Sequence, residues 1–367
     1  MWALYLSLVS VGGDFMAFQW DILLLETGFL AVFFAPWQMG REKLGSPPTV
    51  ALWLLRWLAF RLMLLSGVVK LASGDLTWRN FTALEYHYLT QPLPNPLSWY
   101  AHQMPVSAQR ASCLAMFGVE LLVPFFIFAP WRLVRAVAAA ILIAFQLLIF
   151  ATGNYTFFNL LTIALCLPVF GEYFPQPVSW RREAPGIVLA LLLVPLSLLE
   201  IAARFHPDLP AWAEQPVDWV APFRLTSSYG LFAVMTTSRP EIVVEGSLDG
   251  EQWLSYEFAH KPGDPRRAPT WVAPHQPRLD WQMWFAALSG PDQARWFQRF
   301  LLRILEGSPE VLSLLRNDPF PGRPPKYVRA LLYDYRFTTP EERAATGDWW
   351  HRTLKGTYFP AVSLKER

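Results

Sequence analysis

Long apolar runs alternate with short polar connections over the first 205 residues. Each run approaches the ~20 residues that an α-helix needs to cross a bilayer. The opening run MWALYLSLVSV is too short to span, and it lacks the basic flank and cleavage site of a signal peptide. We therefore predict an α-helical polytopic membrane bundle of about six transmembrane helices, at residues 19–36, 50–72, 112–129, 133–151, 155–170 and 186–203.

The pattern changes after residue 205, where charged residues and prolines become frequent. EIVVEGSLDGEQWLSYEFA predicts a β-hairpin, because two strand-like runs flank Asp249-Gly250, a favoured tight-turn pair. KYVRALLYDYRF alternates like a strand in a packed sheet, and QARWFQRFLLRILEG has helical spacing that ends at Gly307. We predict a transmembrane domain over residues 1–205, followed by a β-rich, sandwich-like soluble domain with one or two helices over residues 206–367.

One segment fits neither pattern. Residues 73–111 contain GDLTWRNFTALEYHYLTQPLPNPLSWYAHQMP, which is too polar to span a bilayer and too apolar for an ordinary solvated loop. Trp and Tyr collect where lipid meets water, and prolines restrict the conformations of a loop. We predict a rigid loop at headgroup depth that either binds a client protein or only anchors the bundle. Its candidate residues are Trp78, Tyr86, His87, Tyr88, Trp99, Tyr100 and His102.

The composition supports a membrane protein. Of 367 residues, 53% are hydrophobic and 16% are charged, whereas about 25% are charged in a typical soluble domain. The formal net charge of +2 is too small to indicate a nucleic-acid partner, and the apolar runs indicate the lipid bilayer as a partner. Cys113 and Cys166 each lie in an apolar run, and they predict neither a disulfide framework nor a thiolate metal site.

Basic residues in the short connections predict the orientation of the bundle. They lie at 41–43, 132–135 and 181–182, in alternate connections that the positive-inside rule places in the cytoplasm. The 73–111 loop and the C-terminal domain then share the exoplasmic side. We expect a multi-pass integral membrane protein, in the endoplasmic reticulum membrane of a eukaryote or the plasma (inner) membrane of a bacterium.

Ionisable residues inside the apolar runs should pair or face the bundle interior, because a charge in hydrocarbon costs at least ~2.5–3.5 kcal/mol. We predict that the two acids of the first run pair with the two arginines of the next, and that Lys70 and Asp21, near helix ends, lie at the interface. Such residues form either a buried polar site or structural ion pairs. The candidates are Asp21, Glu26, Arg56, Arg61 and Glu120.

Catalytic motifs are not visible in the sequence. It contains no nucleophile elbow, phosphate-binding glycine loop or CxxC pair, so we predict no catalytic residue and no cofactor. A metal at His87 and His102 would need a third ligand from Glu85 or Asp75, and we predict none. The alternative is a membrane enzyme with an exoplasmic active site, in which His87, His102 and Glu120 act as acid, base or ligand.

Several long stretches, the 73–111 segment first among them, resemble the lipase maturation factor family. The resemblance continues in FQWDILLLETGFLAVFFAP, GNYTFFNLLTIALCL, YGLFAVMTTSRPEIVVEGSLDGEQW, PRLDWQMWFAAL and LLRNDPFPGRPPKYVRALLYDYRFT, and so covers nearly the whole chain. It implies a membrane-embedded, non-catalytic maturation factor or chaperone for secreted clients, lipases by resemblance. The family has no agreed catalytic residues to carry over. Family members have further membrane sequence before FQWDILLLE, so this N-terminus looks shortened.

Overall fold

The computed structural model describes residues 1–35, 46–172, 179–205 and 210–364. The basic residues Arg41 and Lys43 and the predicted start of the C-terminal domain at residue 206 lie outside these ranges. The helices are α1 (Trp2–Gly12), α2 (Gln19–Phe34), α3 (Thr49–Ala72), α4 (Leu76–Arg79), α5 (Ala83–Thr90), α6 (Pro96–His102), α7 (Val106–Leu121), α8 (Arg132–Thr152), α9 (Phe158–Cys166), α10 (Trp180–Phe205), α11 (Ala211–Val220), α12 (Arg278–Leu288), α13 (Arg295–Leu305), α14 (Pro309–Leu312) and α15 (Pro340–Thr346). The strands are β1 (Arg239–Ser247), β2 (Leu254–Tyr256), β3 (Tyr327–Phe337) and β4 (Trp350–Val362).

Four helical segments among the described residues are long and apolar enough to cross a membrane. They are Thr49–Ala72, Val106–Phe128, Arg132–Thr152 and Trp180–Phe205. The six predicted spans are therefore not confirmed, because α2 has 16 residues and the apolar segment Phe158–Phe170 is also short. α2 ends at Phe34 because the proline at position 36 disfavours helical conformation at the preceding residue, and Ala35 is extended.

The chain divides into two compact units, each made of separate stretches of sequence. Unit 1 comprises Met1–Ala83, Arg110–Ile149 and Phe157–Met235. Unit 2 comprises Leu84–Gln109, Phe150–Thr156 and Thr236–Arg367, so most of the 73–111 segment belongs to the same unit as the sheet. The domain boundary predicted after residue 205 stays a prediction.

Unit 1 is a helical bundle with α3 at its centre. α3 packs against α2, α9 and α10, and its residues Leu55, Leu58 and Leu62 lie in the apolar core. α8 and α10 instead leave apolar side chains such as Leu133 and Leu191 exposed. A long helix with apolar residues on its outer face is typical of a helix that lipid surrounds.

Unit 2 contains an antiparallel sheet with the strand order β2-β1-β3-β4. The predicted hairpin is confirmed as β1 and β2, with Gly250 at a φ of 85° in the turn. The predicted strand KYVRALLYDYRF and the predicted helix before Gly307 are confirmed as β3 and α13. The sandwich-like architecture is corrected: the described residues form one four-stranded sheet, with α12 packed against β1 and α13 against β3.

Candidate functional site

The aromatic and proline-rich segment folds largely as short helices. α5 and α6 are joined by the five buried residues Gln91–Asn95, which we call the Gln91–Asn95 link. Asn95 caps α6, since its side chain accepts from the Ser98 N–H while the Ser98 hydroxyl accepts from the Asn95 N–H. Pro96 occupies the first turn of α6, where a missing N–H costs nothing. This capping pattern explains why the chain turns into a helix directly after the prolines.

The buried link needs outside partners for its backbone, because it forms no helix or sheet and buried carbonyl groups are costly when unpaired. The six consecutive carbonyl groups of residues 89–94 each accept a hydrogen bond from a side chain. Arg239 donates to those of residues 89 and 91, both at 2.6 Å, and to that of residue 92 at 2.9 Å. Trp284 Nε1 donates to that of residue 90 at 3.0 Å. Asn154 Nδ2 donates to those of residues 93 and 94 at 3.1 and 3.4 Å. We call these three donors and their six acceptors the carbonyl cradle.

Arg239 is the central donor of the cradle and is almost fully buried. Its Nη2 lies 2.8 Å from Glu241 Oε1, and Lys261 Nζ lies 3.0 Å from Glu241 Oε2. Burial lowers the pKa of Arg239 below its usual value, and the neighbouring Glu241 carboxylate counters that effect. The carbonyl dipoles supply further stabilisation to the guanidinium, which explains how one acid suffices for two buried cations.

Asn154 joins its own stretch of unit 2 to two others, residues 93–94 and 270–273. Besides its two bonds to the link, its amide donates to the Thr270 carbonyl at 2.8 Å. Its side-chain oxygen accepts from the N–H groups of Val272 and Ala273 at 2.9 and 3.1 Å. A single buried amide thus satisfies five backbone groups.

Polar side chains of the same segment cap the end of α8. Gln91 Nε2 and Ser98 Oγ each donate to the Thr152 carbonyl at 2.9 Å, and Asn95 Nδ2 donates to the Ala151 carbonyl at 3.1 Å. The last carbonyl groups of a helix lack partners within the helix, so these bonds fill a defined need. The segment is therefore held by its polar residues as well as by its rings.

The structure places most of the aromatic candidates inside the protein. Trp78 Nε1 donates to the Phe232 carbonyl at 2.9 Å within unit 1. Trp99 Nε1 donates to the Thr338 carbonyl at 3.0 Å within unit 2. Buried indole N–H groups usually find such acceptors. Among the seven residues predicted for client binding, Trp78, Tyr88 and Trp99 are buried, Tyr86, His87 and His102 are half-buried, and Tyr100 is exposed.

Both candidate histidines contact aromatic residues of unit 2. His87 Nε2 lies 3.1 Å from the Tyr155 hydroxyl, which donates to Gln91 Oε1 at 2.9 Å. The His102 ring lies 5.5 Å from the Phe337 ring, and burial lowers the pKa of His102 below its usual value. Among the residues that the structure describes, no group of three or more His, Cys, Asp or Glu side chains could hold a metal ion.

The buried charges of unit 1 form pairs between helices. The predicted pairing of Glu26 with Arg61 is confirmed. Lys70 is buried, and its Nζ lies 2.9 Å from Glu120 Oε2; its expected position at the membrane interface stays a prediction. Both pairs bring together α3 and another helix of the bundle, as the cost of an isolated buried charge requires.

The other two candidates of unit 1 have partners that the sequence did not indicate. Asp21 is fully buried and accepts from the Tyr5 hydroxyl at 2.5 Å, and its expected position at the membrane interface stays a prediction. Arg56 donates to the carbonyl groups of Pro168 and Glu172 at 3.1 and 2.9 Å, in addition to that of Gly171. These carbonyl acceptors of Arg56 were not part of the prediction from the sequence.

Residues 225–235 enter the polar interior of unit 1, which sequence reasoning missed. The buried Tyr229 hydroxyl donates to Glu26 Oε2 at 2.6 Å, and Arg61 donates to the Ser227 carbonyl at 3.1 Å. Gly230 has a φ of 150°, and a Cβ there would lie 2.5 Å from a methyl group of Val69. The glycine in SYGLF was the available signal, since glycine in an apolar run often marks a close backbone approach.

Comparisons with known proteins cover both regions of the chain. Residues 1–176 match the family description "Lipase maturation factor transmembrane domain", and residues 225–360 match "Lipase maturation factor C-terminal domain". The chain is 37% identical over 484 aligned residues to lipase maturation factor 2 of Xenopus laevis. This alignment covers 100% of this chain and 68% of that protein. It is 36% identical over 411 residues to lipase maturation factor 1 of Mus musculus, covering 100% of this chain and 70% of that protein. No solved structure matches the chain.

Proposed function

Because the chain belongs to the lipase maturation factor family, we propose that it is a membrane maturation factor that helps secreted lipases to fold or assemble. The observation that carries this proposal is the similarity to lipase maturation factors 1 and 2 over the full length of the chain. Four apolar helices of membrane-spanning length agree with action from within a membrane. We place the protein in the endoplasmic reticulum membrane of a eukaryote or the inner membrane of a bacterium, with unit 2 on the exoplasmic side.

We assign client contact to the exposed face of α6. Tyr100 is 54% exposed, and Leu97 lies three residues earlier on the same helix and is also exposed. The Asn95 cap and the hydrogen bond from Trp99 to the Thr338 carbonyl hold α6 in a fixed position. A pre-ordered apolar surface can bind a partner without a large loss of conformational entropy.

The local contacts of the alternative catalytic residues favour a non-catalytic role. Glu120 forms an ion pair with Lys70 in unit 1, whereas His87 and His102 contact Tyr155 and Phe337 in unit 2. These contacts support structural roles for the three residues.

The proposal is tested by co-expression with a secreted lipase in cells that lack their own maturation factor. We expect the wild-type chain to raise the activity of the secreted lipase per molecule. Replacing both Leu97 and Tyr100 by Ala should lower that gain about tenfold, because truncating two anchors of an interface costs on the order of 1–2 kcal/mol. The matched control is Leu302→Ala, an exposed leucine on α13 of the same unit.

The same assay distinguishes a non-catalytic maturation factor from a membrane enzyme. His87→Asn and His102→Asn should preserve most of the gain in lipase activity. Loss of the gain in either variant, at normal membrane expression and folding, would favour an enzyme. No gain from the well-expressed wild-type chain would exclude the tested lipase as a client.

A further inference from the structure

The helix α11 carries large aromatic side chains that the protein does not cover. Trp212 and Trp219 are 72% and 79% exposed, and Phe223, just beyond the helix, is 51% exposed. Tryptophan is highly buried on average in folded proteins, so two such residues on one ten-residue helix indicate a surface with an external partner.

The side chains of α11 separate into three faces. Ala213 is buried, and Val217 and Val220 are half-buried on the same side. Trp212, Pro216 and Trp219 fall within about 60° of one another at about 100° per residue, so they share a second face. The two acids of the helix, Glu214 and Asp218, lie on a third face, about 100° or more from the aromatic one.

α11 lies directly after a helix of membrane-spanning length and packs against it. α10 has 26 residues, which correspond to about 39 Å of helix and exceed the about 30 Å thickness of the hydrocarbon core. α10 also exposes apolar residues, among them Leu191 and Leu198, which lipid would surround. The end of α10, where α11 begins, therefore falls near the headgroups.

We propose that α11 is an interfacial helix that lies along the membrane surface and binds phospholipid through Trp212, Trp219 and Phe223. Aromatic side chains with a polar N–H favour the boundary between acyl chains and headgroups, and the acidic face turns to water. α11 packs against α10, which itself exposes apolar residues along a membrane-spanning length, and this favours a bilayer over a protein partner. Because the polar face is acidic, the helix should bind zwitterionic bilayers better than anionic ones.

Site-directed spin labelling of the full chain tests this placement. The chain is placed in phosphatidylcholine nanodiscs after Cys113 and Cys166, both buried, are replaced by Ala and folding is verified. Single labels are introduced as Trp212→Cys and Trp219→Cys, with Glu214→Cys and Asp218→Cys as controls on the same helix. We expect a several-fold higher ratio of oxygen to nickel-complex collisions at 212 and 219 than at 214 and 218.

A second measurement uses the fluorescence of Trp212 and Trp219 themselves, so neither residue is replaced in the wild-type sample. Brominated phosphatidylcholine should quench more of the tryptophan emission in the wild-type chain than in the Trp212→Phe/Trp219→Phe variant, and adding phosphatidylglycerol should reduce this difference. Equal access of the nickel complex to all four labelled positions would overturn the proposal. The proposal would also be overturned if neither oxygen nor the nickel complex reached the labels at 212 and 219. Spin–spin broadening would then indicate a second copy of the chain at this surface. Immobilisation of the labels only in the presence of a client protein would indicate the client instead.

Discussion

Unit 1 and unit 2 both bury charged side chains, but they compensate the charges in different ways. In unit 1 the buried Glu26 and Glu120 each pair with one cation of α3. In unit 2 the single acid Glu241 serves two cations, and Nη1 and Nη2 of Arg239 also donate to backbone carbonyl groups of the Gln91–Asn95 link and its flank.

The difference follows from the backbone that surrounds each charge. Carbonyl groups inside an α-helix are already bonded to N–H groups of the same helix. A buried charge in the bundle therefore pairs with a side chain, as Glu26 and Glu120 do, or reaches carbonyl groups outside the α-helices, as Arg56 does. A proline-containing link has few N–H groups and no regular pairing, so its carbonyl groups remain available and need donors. One arginine with five donors meets that need better than a lysine could.

The strongest test removes the central donor of the cradle. Arg239→Met should leave three buried carbonyl groups unpaired, and we expect a loss of about 3–5 kcal/mol in stability, as for other broken buried pairs. Hydrogen exchange of residues 84–95, measured on the full chain in nanodiscs, should lose its protection. Arg266→Met is the control, because the Arg266 side chain is 83% exposed and its loss should change stability by less than about 0.5 kcal/mol. Unchanged protection in Arg239→Met would contradict the cradle.

The second test addresses the pairing in unit 1. Glu26→Leu or Arg61→Met alone should each cost about 3–5 kcal/mol, because one buried charge is left uncompensated. The double variant should cost clearly less than the sum of the two, since no charge then remains. Thermal unfolding in nanodiscs measures the cycle. Additive losses would show that the two charges are independent.

The third test concerns the neutral donor of the cradle. Asn154→Ala should destabilise unit 2 by about 1–3 kcal/mol, since it leaves buried backbone groups without partners. The amides of Val272 and Ala273 should exchange faster, because both donate to the Asn154 side chain. Asn317→Ala removes a single hydrogen bond at an exposed site and should change exchange only near Glu257. Equal effects of the two variants would argue against the role of Asn154.

The smallest expected effect is a dependence on pH. Burial lowers the pKa of His102 below its ordinary value of 6.5, so the folded state favours the neutral ring. The stability of unit 2 should therefore fall as the pH drops from about 6.5 towards the lower pKa of the folded state. His102→Phe should reduce the difference in melting temperature between pH 7.5 and pH 5.5. Phe337→Leu alters the same packing but keeps the imidazole, so its pH dependence should match the wild-type chain.

Predictions from local patterns succeeded where the pattern alone carried the information. The hairpin at Asp249-Gly250 and the helix ending before Gly307 depend on turn residues and periodicity, which neighbouring positions define. The Glu26–Arg61 pair was predictable because the two helices follow each other in the chain. The ion pair of Lys70 with Glu120 was missed because Glu120 lies on a helix more distant in the chain.

The cradle could not be predicted from the same information. Arg239 lies 148 positions from Gln91, whose carbonyl it binds, and no periodic signal connects them. The arginine in SRPEIVV was a weak signal, since a charge at the start of an apolar strand needs a buried partner. Trp78 and Trp99 were predicted at a membrane surface, yet an indole enters a core equally well when a carbonyl accepts its N–H.

The sequence by itself determined the apolar stretches that form helices and the strands β1, β2 and β3, because hydrophobic periodicity and turn chemistry are properties of adjacent residues. The resemblance of long stretches indicated the family. Only the tertiary structure decided which side chains bind the carbonyl groups of residues 89–94 and which aromatic rings stay exposed. The physical reason is that a buried polar group accepts any donor of suitable geometry, and the fold selects the donor by bringing distant segments together.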